Sequence, residues 1–269
     1  MIGLLVFHSF LLFLQLDRSF LPTSLLFLMN ILTWNVHGLC SSEKQFQIFT
    51  FLQNFHPDIP FLQETNLSNN GKLTFDNWNL DVFSSPRVTL GSGVMIAFKR
   101  SASLRVSSFM NLYPGYLMRL DFEWNESSLV CYNIYMPQSD DAAHSVFDCL
   151  DKDLLTITAG ALFILGGDFN CTLSPALNRS TGSEYRRTLQ KWLSDLVHPH
   201  LSDAWREMNP DNRMYTYTGT HSNKPKSRLD RFYVSCHSLT QLAQVKINSI
   251  ATLSDHCPVT LTFFISSKV

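Results

Sequence analysis

The sequence has few charged residues and almost no net charge. Only 16% of its 269 residues are charged, and 21 Lys and Arg against 22 Asp and Glu give a formal charge of −1. This balance argues against a histone-like protein that binds nucleic acid by neutralising phosphates along its whole surface. It does not exclude a nucleic-acid enzyme, because a bound metal ion can supply positive charge locally. The 45% of hydrophobic residues excludes a disordered chain.

Paired cysteine motifs are also absent. The six cysteines stand singly, without CxxC spacing and without His partners at zinc distances, so no zinc site is predicted. Because six is an even number, disulfides are not excluded by count alone. Asn170-Cys171-Thr172 is a glycosylation sequon, and a secreted chain would risk a glycan at a candidate site residue. We therefore expect a reducing intracellular location, nuclear or cytoplasmic.

No repeat, low-complexity tract or linker divides the chain, and we expect one domain over residues 29–266. Residues 1–28 are mostly Leu and Phe, and the apolar run 2–16 has about the length of a signal-peptide core. This run has no basic n-region and no small-x-small cleavage site. We expect Met29 to be the natural start and residues 1–28 to have no role in the fold. A secretory signal or a membrane anchor is the open alternative, and membrane contact is expected only if these residues are an anchor.

Apolar runs separated by turn residues predict a mixed α/β chain. Strands are predicted at residues 31–35, 59–62, 78–83, 93–98, 104–108, 117–124, 129–135, 162–166, 229–234, 242–250 and 259–264. Helices are predicted at residues 43–55, 142–158 and 186–196, and residues 209–227 are predicted to form a loop with a short hairpin. Many strands with a few helices at intervals predict two packed sheets flanked by helices.

Polar clusters follow five of the predicted strands. Each cluster alone is explained by ordinary turn residues, but together they place oxygen donors and a histidine where loops converge. Hard oxygen ligands suit Mg²⁺, Mn²⁺ or Ca²⁺ better than zinc. The clusters contain Asn35, Glu64, Tyr135, Asp168 with Asn170, and Asp255 with His256.

These residue types predict metal-assisted cleavage of a phosphate ester. Glu64 is the best candidate metal-binding carboxylate, followed by Asn35 and Asp255. Asp168 could polarise an attacking water, and Asn170 could orient that water or the phosphate. His256 could hold a non-bridging oxygen or assist proton transfer.

The order of several motifs resembles the endonuclease/exonuclease/phosphatase superfamily. The matching segments are ILTWNVHGL, HPDIPFLQET, GSGVMIAF, YNIYMPQ, FILGGDFNCTL, SRLDRFYVS and LSDHCPV. Within the superfamily, the sequence is most similar to the endonuclease domain of LINE-type non-LTR retrotransposons. The resemblance implies a four-layer α/β sandwich, with two packed, mainly antiparallel sheets flanked by helices. It also implies a DNA-nicking enzyme that uses Mg²⁺, with Mn²⁺ as an alternative, and that acts as a monomer without a small-molecule cofactor.

The resemblance also assigns roles by position. Asn35, Glu64 and Asp255 match the metal site, and Tyr135 matches a tyrosine that contacts the scissile phosphate. Asp168 and Asn170 match the pair that activates water and binds phosphate, and Asp230 matches the aspartate that hydrogen-bonds the catalytic histidine, here His256. Arg179 and Thr216 match positions near the DNA. Gln138 departs from the pattern, because many relatives have Asn there.

A basic segment is a candidate for contact with the DNA backbone. Residues 179–231 hold ten basic and six acidic residues, a balance of +4, whereas the rest of the chain sums to −5. We expect Arg179, Lys224, Lys226 and Arg228 to contact phosphates. An ordinary solvated surface remains the alternative.

Two other functions stay open at this point. One is a phosphatase of the same fold that acts on a small phosphorylated substrate, and the other is a decayed or domesticated fragment that binds DNA without cutting it. Tyr135 favours the AP-endonuclease and LINE members, since DNase I-like members tend to have His at that place. The extended signatures of inositol phosphatases are not found, and no catalytic-motif position is lost.

Overall fold

Two six-stranded sheets form the centre of the fold in the computed structural model. The structure describes residues 26–73, 79–102, 104–124, 127–157, 160–183, 185–197, 201–219, 225–249 and 253–266. In chain order the elements are β1 (Leu26–Asn35), α1 (Ser42–Phe55), β2 (Ile59–Gln63), β3 (Leu80–Ser85), β4 (Val94–Lys99), β5 (Arg105–Tyr113), β6 (Leu117–Trp124), β7 (Ser127–Tyr135), α2 (Asp140–Leu154), β8 (Leu162–Asp168), α3 (Pro175–Asn178), α4 (Arg187–Val197), β9 (Leu201–Asp203), α5 (Ala204–Met208), β10 (Asp230–Ser235), β11 (Leu242–Ile247) and β12 (Val259–Ser266).

Each sheet is mainly antiparallel and contains one parallel pair. The first sheet has the order β11-β12-β1-β2-β4-β3, and the second has the order β5-β6-β7-β8-β10-β9. The parallel pairs are β1 with β2 and β7 with β8. Parallel neighbours end at the same edge of a sheet, so the residues that follow them lie side by side. The predicted sandwich of two sheets flanked by helices is confirmed.

The largest apolar core lies between the two sheets. Phe61 of β2 and Phe232 of β10 meet there with ring centroids 5.9 Å apart. Gly166 of β8 allows this approach, because a Cβ at that position would lie 2.4 Å from the Phe232 ring. Two further clusters bury α1 against the first sheet and α2 with α4 against the second. These four layers keep apolar side chains away from water on both faces of each sheet.

A polar contact crosses the apolar interface between the sheets. Gln63 Nε2 of β2 donates to Asn133 Oδ1 of β7 at 2.7 Å and to Thr33 Oγ1 at 2.9 Å. Asn133 Nδ2 donates to the carbonyls of Leu62 and Met95 at 3.0 and 2.7 Å. Asn133, Gln63 and Thr33 are fully buried. This network fixes one sheet relative to the other, since apolar packing alone is non-directional.

The structure differs from the prediction at the first strand and in the basic segment. β1 begins at Leu26, and its first residues pair with the end of β12, so residues 26–28 belong to the sheet. The strand β9 and the short helices α3 and α5 were not predicted, because three to five residues show no periodicity. No disulfide joins the six cysteines, all of which lie in the part of the chain that the structure describes. Among the described residues, no helix is long and apolar enough to cross a membrane.

We predict that Asn133→Leu lowers the free energy of unfolding by about 2 kcal/mol, because it leaves the Gln63 amide with one fewer partner in an apolar interface. Urea unfolding followed by tryptophan fluorescence measures this change. The double variant Gln63→Leu/Asn133→Leu should recover part of the loss, since both polar partners are then removed. Asn212→Leu, at an exposed position, is the control. If Asn133→Leu and Asn212→Leu lowered the free energy of unfolding equally, the role of the network would be contradicted.

Candidate active site

The predicted site residues meet at one edge of the sandwich. Asn35 ends β1, and Glu64 follows the neighbouring strand β2. In the second sheet, Tyr135 at the end of β7 is paired with Asp168 at the end of β8, and Asp168 is paired with Asp230 at the start of β10. A cleft of about 300 Å³ opens at this edge. It is lined by His37, Glu64, Gln138, Asn170, Tyr185, Tyr217, Leu229, Asp255 and His256.

Asn35 connects carboxylates from the two sheets. Its Nδ2 donates to Glu64 Oε1 at 2.8 Å and to Asp168 Oδ2 at 2.9 Å. Its Oδ1 accepts from the backbone N–H of His37 at 3.1 Å. Reversing the amide would place its oxygen against two carboxylates, so the network fixes the orientation. The amide oxygen of Asn35 is therefore turned away from the carboxylates that its Nδ2 holds, and its expected role as a metal ligand stays a prediction.

Glu64 and Tyr135 lie next to Asn35 and form one wall of the site. The Tyr135 hydroxyl is hydrogen-bonded to Glu64, and burial together with the charges of Glu64 and Asp168 raises the pKa of this tyrosine. Tyr135 therefore remains a neutral hydrogen-bond donor. The Tyr116 ring stacks on Tyr135, with centroids 5.9 Å apart and planes at 8°. Glu64 has φ +50, a left-handed conformation that is unusual for this residue type and occurs at functional sites.

Asp168 and Asn170 are fixed by the turn after β8. Asp168 Oδ1 accepts from the backbone N–H of Asn170 at 2.9 Å, and Asn170 Nδ2 donates to the Met136 carbonyl at 2.7 Å. Gln138 Nε2 donates to Asn170 Oδ1 at 3.1 Å, so the glutamine at this divergent position still contacts the site. Burial and the neighbouring Asp230 raise the pKa of Asp168 to about 7, against the opposing effect of His256. A carboxylate with this pKa suits proton transfer near neutral pH.

His256 and Asp230 form a buried pair beside Asp168. His256 Nδ1 lies 2.8 Å from Asp230 Oδ2, and His256 Nε2 lies 3.8 Å from Asp168 Oδ2. Burial lowers the pKa of His256, but Asp230 and Asp168 raise it by more, to about 10. The two carboxylates therefore favour the protonated ring, with Nδ1 held by Asp230 and Nε2 beside Asp168. This geometry matches the predicted orientation of the histidine by Asp230.

The donors in the cleft fit a divalent cation. Asp255 Oδ1 is buried without a hydrogen-bond partner, and His37 Nδ1 lies 3.4 Å from it. Glu64 lines the same cleft as Asp255, and carboxylate oxygens are the ligands that Mg²⁺ prefers. Within the described ranges, Asp168, Asp230 and His256 also bring ligand atoms within 4.8 Å of one another. In that group the His256 Nδ1 contact with Asp230 is already made, so we interpret it as a hydrogen-bonded triad.

Two residues expected near DNA are buried, and both expectations are corrected. Arg228 is 1% exposed and donates to both oxygens of Asp203, at 3.0 and 2.6 Å. Burial would raise the pKa of Asp203, but Arg228 lowers it below its usual value. Thr216 is fully buried, and its Oγ1 accepts from the backbone N–H groups of Leu229 and Asp230 at 2.9 and 3.0 Å. Both residues support the start of β10, which carries Asp230.

The other expected DNA contacts lie on two loops beside the cleft. The guanidinium of Arg179 stacks on the Tyr185 ring, 4.7 Å from its centroid. Lys226 is exposed, and its carbonyl accepts from the Ser180 N–H at 2.9 Å, which joins its loop to the Arg179 loop. Lys224 lies outside the described residues. The positions of Arg179 and Lys226 are compatible with phosphate contact, and their role stays a prediction.

The structure adds four aromatic residues to the site that the sequence did not single out. His37 and Tyr185 line the cleft, Tyr116 stacks on Tyr135, and the Tyr217 ring lies 5.0 Å from the ring of His256. His37 is only two residues from Asn35, so its place in the TWNVHG motif was a usable signal. Tyr185 and Tyr217 lie in segments without periodic patterns, and nothing in the sequence indicates where their rings point.

Comparisons with known proteins give a family and several relatives. A model of the endonuclease/exonuclease/phosphatase family matches residues 32–256. An uncharacterized 149 kDa protein of transposon TX1 from Xenopus laevis is 30% identical over 244 residues, which are 90% of this chain and 18% of that protein. An exodeoxyribonuclease from Bacillus subtilis is 22% identical over 254 residues, covering 87% of this chain and 98% of that enzyme.

Solved structures share the fold. An AP endonuclease from Leishmania major superposes with a TM-score of 0.76 at 17% identity, and the match covers 94% of this chain and 91% of that one. A 3′ phosphatase from Neisseria bound to a product DNA hairpin gives a TM-score of 0.73 at 20% identity, covering 87% of this chain and 99% of that one. The two six-stranded sheets are therefore the arrangement found in AP endonucleases.

We predict that Thr216→Val destabilises the protein by about 1–3 kcal/mol, because two buried N–H groups lose their acceptor. Thr216→Ser keeps the hydroxyl and should cost less than half as much. Thermal unfolding of both variants measures the difference. If the two variants were equally stable, the hydroxyl would not be the group that holds the start of β10.

Proposed function

Since the chain belongs to the endonuclease/exonuclease/phosphatase family, we propose that it is a metal-dependent endonuclease that nicks DNA, as the endonucleases of LINE-type retrotransposons do. The observation that carries this proposal is the arrangement of Glu64, Asp168 and the His256–Asp230 pair around one cleft. The similarity to a transposon protein supports the retrotransposon assignment, although the chain spans 18% of that protein's length.

In the proposed reaction, Asp168 accepts a proton from the attacking water. Its contacts with Asn35 and Asn170 hold the carboxylate in place. Its raised pKa suits it to accept a proton near neutral pH. Asn170 orients the water or a phosphate oxygen. The His256 cation, oriented by Asp230, donates from Nε2 to a non-bridging phosphate oxygen on which negative charge develops. Tyr135, a neutral donor, contacts the same phosphate.

Glu64 and Asp255 are the proposed cation ligands. Their carboxylates face the cleft, and Asp255 Oδ1, which has no hydrogen-bond partner, supplies a ligand position. Mg²⁺ is the proposed ion, with Mn²⁺ able to replace it, because both take oxygen ligands and leave positions for phosphate. A bound divalent cation polarises the phosphate and offsets charge at the leaving oxygen. Asn35 holds Glu64 in place, and its amide oxygen is a further proposed ligand.

DNA is the proposed partner, with Arg179, Lys226 and Lys224 contacting the backbone. Such contacts give affinity and register, and DNA shape would set target preference. The second candidate is a phosphatase of the same fold, which the similarity to a 3′ phosphatase favours. We also propose an intracellular location, nuclear or cytoplasmic, which is supported by six described cysteines that form no disulfide.

We predict that the 269-residue chain nicks supercoiled plasmid with Mg²⁺ and that Glu64→Gln and His256→Ala each reduce nicking about 100-fold or more. Loss of Glu64 removes a cation ligand, and loss of His256 removes the positive donor at the phosphate. Conversion of supercoiled to open-circular plasmid, with Mg²⁺ or with EDTA, measures the rate.

Asp148→Asn is the matched control, because Asp148 is exposed on α2 and outside the cleft. An abasic-site duplex and an inositol phosphate, assayed in parallel, separate the nuclease from the phosphatase. Release of inorganic phosphate without any nicking would replace the proposed function with the second candidate. If Glu64→Gln and His256→Ala both nicked plasmid at the rate of the unsubstituted chain, the proposed mechanism would be refuted.

We predict that Lys226→Ala and Arg179→Ala each weaken DNA binding. Each variant should lose about the same affinity for duplexes of different sequence, because phosphate contacts carry no sequence information. Each substitution should reduce the slope of log Kd against log salt by about 0.9. Fluorescence anisotropy with a labelled duplex in EDTA measures both quantities. Lys152→Ala on α2 is the control, and an unchanged salt slope in the two loop variants would exclude phosphate contact.

A further inference from the structure

Asn178, the last residue of α3, lies directly before the Arg179 loop (residues 179–183) and is only 1% exposed. Its side-chain oxygen Oδ1 accepts from Arg206 Nη2 at 2.9 Å and from Arg228 Nε at 3.2 Å. An amide oxygen has two lone pairs, and here both serve guanidinium groups. Asn178 has no part in the proposed reaction, so this use of a buried amide has another reason.

The surroundings of Asn178 are crowded with positive charge. The guanidinium carbons of Arg206 and Arg228 lie 5.0 and 5.2 Å from the centroid of the same Trp205 ring. Arg228 donates to both oxygens of Asp203, whereas Arg206 donates to three backbone carbonyls and to Asn178. Burial and the nearby Arg228 lower the pKa of Arg206. The Asn178 oxygen therefore joins two buried cations that would otherwise repel each other.

The backbone beside Asn178 joins two loops at the edge of the cleft. The Asn178 carbonyl accepts from the Arg228 N–H at 2.9 Å. The Ser180 N–H donates to the Lys226 carbonyl at 2.9 Å, and the Lys226 N–H donates to Ser180 Oγ at 3.0 Å. The Arg179 loop and the Lys226 loop (residues 225–227) are therefore bound to each other, and Asn178 ties the pair to the two arginines.

We propose that Asn178 is a positioning residue, which fixes both loops so that Arg179 and Lys226 reach the phosphates of DNA bound in the cleft. This inference rests on the proposed nuclease function, and it assigns to Asn178 no contact with DNA or with the cation. Preorganisation raises affinity, because a loop that is ordered only on binding costs free energy.

The catalytic pair has a separate support. Asp230 is held by Thr216 Oγ1 and by the pairing of β10 with β8, and no side-chain bond of Asn178 takes part in either contact. Loss of the Asn178 oxygen should therefore weaken DNA binding and leave the reaction of bound DNA nearly unchanged.

Three substitutions separate the oxygen of Asn178 from its bulk. Asn178→Leu removes the acceptor and keeps a side chain of similar size, and Asn178→Ala gives the same comparison if the Leu variant does not fold. Asn178→Asp keeps the oxygen and adds a charge that suits two guanidinium groups, so it should behave as the unsubstituted chain. Asn209→Leu is the matched control, because Asn209 Nδ2 donates to the Trp205 carbonyl at 3.0 Å, a bond to α5 and not to either loop.

Two measurements separate binding from reaction. Fluorescence anisotropy in EDTA gives the Kd of a labelled duplex, and single-turnover nicking with Mg²⁺ at saturating protein gives the rate in the bound complex. Asn178→Leu should raise Kd about tenfold, because two hydrogen bonds to charged groups are lost. It should change the saturated rate by less than about threefold. Asn178→Asp and Asn209→Leu should leave both quantities within about twofold of the unsubstituted chain.

A double variant tests whether Asn178 acts through Arg179. Arg179→Ala should weaken DNA binding in the unsubstituted chain. In Asn178→Leu the loop is no longer held, so the same change should add little, and the two effects should not be additive. A purely structural effect of Asn178→Leu would leave them additive.

An unchanged Kd in Asn178→Leu, or additive effects in the double variant, would overturn the positioning role and leave the proposed function intact. Loss of folding in both the Leu and the Ala variants would assign Asn178 a general structural role and also overturn it. The same conclusion would follow if the saturated rate fell as far as Kd rose. If the unsubstituted chain neither binds nor nicks DNA, the proposed function itself fails.

Discussion

One amide group joins the two halves of the candidate site. Asn35 Nδ2 donates to Glu64 from the first sheet and to Asp168 from the second. Two nearby carboxylates repel each other when burial removes water, and the shared amide offsets this repulsion while fixing their separation. One residue before Glu64, Gln63 makes a similar contact with Asn133 across the sheets. These polar contacts of Gln63, Asn133 and Asn35 therefore set the relative position of the sheets, and they extend into the candidate active site.

Charge is the second constraint on the site. Asp168 and Asp230 are buried, and the His256 cation neutralises part of their charge. Glu64 and Asp255 add carboxylates that have no Lys or Arg in ion-pair contact among the described residues. The site thus carries more negative charge than its own groups neutralise, and Asp255 Oδ1 has no hydrogen-bond partner. A bound cation would offset this excess of negative charge.

How far the sequence predicts this molecule depends on the kind of signal. Strand ends could be predicted, because apolar runs followed by Asn35, Glu64 or Asp168 mark both the element and its polar end. The burial of Arg228 could not, because its partner Asp203 lies in a three-residue strand without periodicity. The first strand extends back to Leu26 because its pairing with β12 continues there, and no local pattern separates those residues from the apolar stretch before them.

In the basic segment, the charge counted from the sequence differs from the charge that the structure exposes. Residues 179–231 sum to +4, yet Arg228 and Arg231 are buried, and neither can reach a phosphate. Arg186 is bound to Asp140, and Arg206 donates to three backbone carbonyls of the loop that follows α5. Much of the apparent basic surface therefore holds loops around the start of β10. In the proposed function, DNA affinity would come from a few loop residues and from a bound cation, which agrees with a chain of nearly zero net charge.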